Sequence, residues 1–207
     1  DVLTSRTFFA KEITVSGTHF PKYCVIHDKH LVVAGANTAL NTIFYSGTND
    51  IDDFTSTGSG SIVLDDQVVG LKSFRDELFV FCRNSIYKLQ NINDSSNIAI
   101  VPVTKNVGCV DGKTIQEFAG DLIFLGPDGL RTVAGTAKIG DVELGTISTN
   151  VQPIFDDQID DAVAFESIVI PDKTQYRIFF TKEGQADSLT SGVICVRKGD
   201  GYEFSET

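Results

Sequence analysis

Over most of this chain the apolar residues come in short unbroken or alternating runs bounded by Asp, Asn and Gly, without the three-to-four-residue recurrence of an amphipathic helix. That pattern predicts short, buried β-strands joined by tight turns. The stretch 68–89 shows it best. Val69-Gly70-Leu71 with Phe74 forms one strand, and Arg75-Asp76-Glu77 turns the chain. Leu78-Phe79-Val80-Phe81-Cys82 is a central strand apolar on both faces, Arg83-Asn84 turns again, and Ile86-Tyr87-Lys88-Leu89 runs back.

The unit recurs. An earlier copy has Cys24-Val25-Ile26, a turn at Asp28-Lys29-His30 and a central strand Leu31-Val32-Val33-Ala34, followed by 41–46. A later copy turns at Ala119-Gly120-Asp121 into Leu122-Ile123-Phe124-Leu125 and continues through Gly126-Pro127-Asp128-Gly129 to Leu130. A fourth runs from 165–170 through Pro171-Asp172-Lys173 to Tyr176-Arg177-Ile178-Phe179-Phe180, with an outer strand at 192–196. Central strands beginning at Leu31, Leu78, Leu122 and about Arg177 are spaced by 47, 44 and 55 residues. A period of about 40–50 with three or four strands per unit is the mark of a β-propeller, whose blades stack because none can bury both faces alone. The expected class is therefore all-β, a propeller or partial propeller of about four visible antiparallel blade units at 20–54, 62–92, 98–135 and 163–207. Residues 1–19, with strands expected at 7–10 and 12–15, form a partial blade. The chain lacks any Met, the initiator included, and stops just after the fourth unit, which favours an incomplete propeller.

One short helix is expected near 150–161. Thr149-Asn150-Val151-Gln152 has capping-box spacing, Pro153 suits a first turn, and Val151, Ile154, Phe155 and Ile159 share a face that reads as core. Asp156 with Asp160 and Asp157 with Asp161 are like-charged pairs at helical spacing, near the end where the helix dipole disfavours anions. Either the helix ends near Asp157, or these four carboxylates meet a basic partner surface or a cation; they are the candidate interface residues. Residues 55–61, TSTGSGS, read as a flexible connector between blades, with neither the ending nor the helix of a phosphate loop.

The net charge of −11 argues against binding nucleic acid non-specifically and against an anionic membrane surface, and no apolar run is long enough to span a bilayer. Asn49-Asp50-Ile51-Asp52-Asp53-Phe54 resembles a calcium loop, but Phe54 stands where the turn glycine is needed, so it reads as a solvated turn pinned by Ile51 and Phe54. Cys24, Cys82, Cys109 and Cys195 are far apart and without CxxC spacing, so buried free thiols are expected, consistent with a reducing assembly compartment. His19, His27 and His30 read as exposed turn histidines. No nucleophile elbow, zinc-protease motif or other catalytic arrangement is present, and no cofactor or metal is expected. The absence of Trp weakens a sialidase or lectin reading, while a glycosidase would need a carboxylate pair at the axis.

A more specific pattern lies in the order of the phrases. Ile43-Phe44-Tyr45-Ser46-Gly47 with Ile51-Asp52-Asp53-Phe54, then Val69-Gly70-Leu71 through 78–81 to Ser85-Ile86-Tyr87-Lys88-Leu89, then Val107-Gly108-Cys109 with 122–131, then Glu143-Leu144 with 148–155, resembles the propellers of phage tail and neck proteins over roughly residues 20–180. The resemblance implies a structural, non-enzymatic component of a short-tailed phage tail nozzle or hub. It would be assembled in the host cytoplasm and located in the virion, and would form a homo-oligomeric ring. Its partners would be portal, adaptor and tail-fibre proteins, with double-stranded DNA sliding through a negatively charged lumen. The alternative is a propeller binding module recognising carbohydrate or a protein partner; a WD-type scaffold lacks its GH and WD dipeptides here.

Overall fold

The computed structural model describes residue 15 and residues 20–134, 146–159, 162–182, 191–199 and 201–206. They form four antiparallel sheets in chain order, each a simple meander. Blade 1 contains β1 (Tyr23–His27), β2 (His30–Ala36), β3 (Ala39–Tyr45) and β4 (Gly60–Val63). Blade 2 contains β5 (Val68–Phe74), β6 (Glu77–Cys82), β7 (Ile86–Gln90) and β8 (Ala99–Thr104). Blade 3 has β9 (Gln116–Phe118), β10 (Asp121–Gly126) and β11 (Gly129–Thr132). Blade 4 has β12 (Ala162–Ile170), β13 (Gln175–Lys182), β14 (Ser191–Lys198) and β15 (Gly201–Glu206). The fold is a β-propeller arrangement, as the repeat predicts.

The repeat is also visible in the backbone. The first hairpins of blades 1, 2 and 3 each close on two residues with positive φ: Asp28 and Lys29, Arg75 and Asp76, Ala119 and Gly120. Left-handed conformation at both central positions suits the right-handed twist of the flanking strands, and Asp tolerates it better than most residues. Blade 4 instead turns through a 3-10 segment, Pro171–Lys173.

Burial of both sheet faces explains the unbroken apolar runs of β2, β6 and β10. In β6, Leu78, Val80 and Cys82 pack into a cluster with Val32, Ala34 and Ile43 of blade 1. Phe79 and Phe81 point the other way, against Leu122 and Phe124 of blade 3, with the Phe81 and Phe124 rings 5.3 Å apart. In β10, Ile123 and Leu125 meet Tyr176, Ile178 and Phe180 of blade 4. Two-sided burial turns the alternation expected of a one-sided sheet into a continuous apolar run.

The sheets divide the chain one strand later than the spacing suggests. Residues 55–59 join β3 to β4 within blade 1, and the strand expected at 98–103 is the outer strand of blade 2. The Ser/Thr/Gly segment is also held rather than flexible: Asp53 Oδ1 accepts from Thr55 N at 2.7 Å, Thr55 Oγ1 at 2.7 Å and Ser56 N at 3.1 Å. These bonds hold the Asp53 carboxyl below its usual range. The helix, α1 (Gln152–Ile159), runs past Asp157 and is entered through a 3-10 turn, Thr149–Val151. No capping box forms there. Gln152 reaches forward to Asp156 Oδ1 at 2.9 Å, and the preceding Ser148 hydroxyl accepts from Leu130 N at 3.0 Å, tying the turn to β11. The expected core face does form: Phe155 is fully buried against Phe180, with Val151, Ile154 and Ile159 around it. The strands expected at 7–10 and 12–15 lie outside the described residues except for Val15, which is buried against Leu31 and Val33.

His27 and His30 are not exposed. They are 8% and 0% accessible, because the two-residue turn between them is folded down onto blade 2. His19 lies outside the described residues. Cys82, Cys109 and Cys195 are buried free thiols, but Cys24 is exposed.

Phe81→Ala should destabilise the protein by about 3–5 kcal/mol, since the cavity would open between two blades rather than at a surface. Equilibrium denaturation by urea, compared with an exposed control such as Val63→Thr, measures this.

Candidate interaction site on the inner strands

Each blade begins with its inner strand, and β1, β5 and the segment before β9 converge on one cleft of about 520 Å³. Its walls carry Lys22, Tyr23 and Cys24 on one side and Asp111 and Lys113 on the other, with Leu71 between them. The far wall is a single 3-10 turn, Gly112–Thr114, held from several directions. Asp111 is extended and its Oδ1 accepts from Lys113 N at 2.8 Å, the usual way a short polar residue satisfies a helix-start donor. Thr114 Oγ1 donates to the Asp111 carbonyl at 2.6 Å and accepts from Leu125 N at 3.1 Å. The fully buried Tyr176 hydroxyl donates to the Thr114 carbonyl at 2.9 Å, so blade 4 fixes the turn as well. Ser167 of β12 donates to the Lys113 carbonyl at 2.6 Å.

The floor of the cleft is narrow because two glycines let backbones touch. A Cβ on Gly112 would lie 2.1 Å from the Val69 carbonyl oxygen, and one on Gly70 would lie 3.1 Å from the Gly112 Cα. Across the cleft, the half-buried Tyr23 ring lies over Gly35, where φ is +69° and a Cβ would stand 2.6 Å from the ring. Burial, and then the negative charge of Asp111, raise the Tyr23 hydroxyl above its usual range, so it is a neutral donor at physiological pH.

The Lys113 ammonium is paired with Glu166 of β12, which holds its pKa up. Both partners are more than half exposed, so the pair adds little stability and its main effect is to aim the side chain. The cleft thus offers a phenolic hydroxyl, an aliphatic patch, an exposed thiol and charges of both signs. That combination can hold a polar peptide side chain in one orientation. Among the described residues no three His, Cys, Asp or Glu side chains gather at metal-binding geometry.

The carboxylates singled out in the sequence are elsewhere. Asp156 is exposed on α1 and accepts from Gln152. The Asp157 side chain, Asp160 and Asp161 lie outside the described residues. The cleft residues come from three segments about 50 and 40 residues apart, and no local motif marks them. Only the glycines Gly70 and Gly112, each next to an apolar run or a cap, hint that backbones come close there.

No family model matches this chain, and no curated protein does. Among solved structures it is similar to the N-terminal domain of Nup159, with a TM-score of 0.50 and 12% identity; the match covers 89% of this chain and 47% of that one. The chain therefore spans about half the length of that structure. A second similar structure, S. cerevisiae Dbp5 L327V bound to Nup159, Gle1 H337R, IP6 and ADP, scores 0.39 with 12% identity, covering 87% of this chain and 58% of that one. At 12% identity the likeness to the first is one of fold: the Nup159 domain is a β-propeller.

Thiol reactivity reports this geometry. Cys82, Cys109 and Cys195 are buried, and burial pushes each to about 12. In the native protein Cys24 alone should react with Ellman's reagent within minutes, the other three only in denaturant. Fast reaction of a second thiol would contradict the burial described.

Proposed function

We propose that this chain is a non-enzymatic propeller module that binds a protein partner through the cleft on its inner strands. The observation that carries the proposal is the convergence of three blades on one concave, chemically mixed surface, rigidly backed by the Tyr176 and Thr114 contacts. A protein partner fits better than a sugar. Propeller lectins commonly stack sugar rings on Trp, which this chain lacks, and the cleft's single aromatic ring, Tyr23, is half-buried over Gly35.

The reading as a phage tail nozzle or hub is supported by the ordered phrases between residues 20 and 180 and by the −11 charge, and by neither of the similar structures. In that role the same propeller would dock neighbouring tail proteins within a ring.

Electron microscopy of the complete gene product separates the two: a lone disc is expected of the binding module, a symmetric ring with a channel of the tail protein. For the cleft itself, Lys22→Glu, an exposed position on its wall, should abolish a photo-crosslink formed from a probe on Cys24 to the partner while leaving the melting temperature unchanged. A crosslink unaffected by Lys22→Glu, or a glycan-array hit in place of one, would exclude the cleft as a protein site.

A further inference from the structure

Blades 1 and 2 are fastened at one end by a polar cluster beneath two hairpin tips. His27, at the end of β1, has Nδ1 2.9 Å from Ser73 Oγ on β5. His30, at the start of β2, has Nδ1 2.5 Å from the Ser46 carbonyl oxygen and Nε2 3.0 Å from Asn93 Oδ1, beyond β7 of blade 2. Asn93 Nδ2 in turn donates to Asp28 Oδ2 at 2.5 Å and to the Asp28 carbonyl at 3.3 Å, which fixes the orientation of its amide. Thr48 Oγ1 lies 3.3 Å from His30 Nε2, and the Tyr45 ring meets the imidazole edge-on. Three links, His27–Ser73, His30–Asn93 and Asp28–Asn93, thus cross from one blade to the next within a few residues.

The charged groups around His27 come from each element packed on it. Asp28 lies on its own turn and His30 on β2. Arg75 and Asp76 lie on the blade 2 turn, and Glu77 begins β6. Arg75 is engaged with the Gly120 carbonyl and Glu77 with Lys88 at 2.6 Å. Beside the cluster a polar cleft of about 380 Å³, lined by His27, Asp28, Asp76 and Glu77, lets water and protons reach the imidazole.

We propose that this cluster is an acid-released latch, in which protonation of His27 puts a cation into the seam beneath the hairpin tips and loosens blade 1 from blade 2. Burial is the largest influence on His27 and pushes its imidazole below the ordinary histidine value; Asp28 and Asp76 oppose this, and His30 acts with it. The sign follows. With the folded value below the unfolded one, at about 6.5, the unfolded chain binds more protons in the interval between them. The stabilisation from a neutral His27 is therefore present above about pH 6.5 and is lost as pH falls through that interval.

Amide hydrogen exchange tests the latch, because it reads blade 1 separately from the rest. After correction for intrinsic rates, β1 and β5 should lose protection several-fold between pH 7.5 and 5.5, while β10 and β13 keep theirs. His27→Gln, which keeps a hydrogen-bonding side chain at Ser73 but cannot take up the proton, should remove that difference. Equal protection of β1 and β5 at both pH values in the wild type would overturn the proposal. So would an unchanged loss in His27→Gln, which would assign the effect to a group other than His27. If His27→Gln does not fold, a wild-type NMR titration of the His27 ring decides: its midpoint must lie below about pH 6.5, where the loss of protection levels off, and a midpoint elsewhere refutes the latch.

Discussion

A four-stranded sheet with apolar side chains on both faces cannot be stable in water alone, and this constraint organises the molecule. The central strands β6 and β10 each have one set of side chains for the blade before and another for the blade after. Leu78, Val80 and Cys82 belong to one interface and Phe79 and Phe81 to the next, although they alternate along one strand. Among the described residues the three largest apolar clusters each lie between two successive blades. A lesion in one strand therefore acts on two interfaces, and the blades stand or fall as neighbours.

The same constraint sends polar chemistry to the edges. Many of the aspartates that make the chain acidic work locally, as acceptors for turn backbone. Asp53 holds the β3–β4 connection. Asp66 Oδ2 accepts from Asn84 N at 2.7 Å and Ser85 Oγ at 2.9 Å, tying the start of blade 2 to its own β6–β7 turn. Asp94 accepts from Ser96 N at 3.0 Å, Asp111 caps the 3-10 turn, and Asp121 accepts from Leu122 N at 2.8 Å and Ala134 N at 3.0 Å. Part of the net charge thus has a folding explanation that needs no charged partner or conduit.

The inner-strand cleft and the hairpin-tip cluster are both products of blade stacking. Each is built where two or three blades come within hydrogen-bonding distance, and each uses residues that would be unremarkable within a single blade. Ligand binding at the cleft and loosening of the seam would act on the same neighbouring strands, β1 and β5, which gives a physical route for one to affect the other.

The repeat, the all-β class, the central strands and the apolar face of α1 are legible in the order of residues alone. These rest on local periodicity, and periodicity is written into consecutive residues. The order of residues also shows the tight turns, though not that Asp28-Lys29 and Arg75-Asp76 would take up positive φ without a glycine. Blade boundaries were less legible, because an edge strand such as β4 (Gly60–Val63) is short and half-exposed and has little apolar signature. Blade packing is what buries His27 and His30, leaves Cys24 open, and brings Tyr23, Leu71 and Lys113 to one cleft. Burial of a turn residue depends on what the neighbouring blade places over it, and no pattern within a single stretch of chain contains that information.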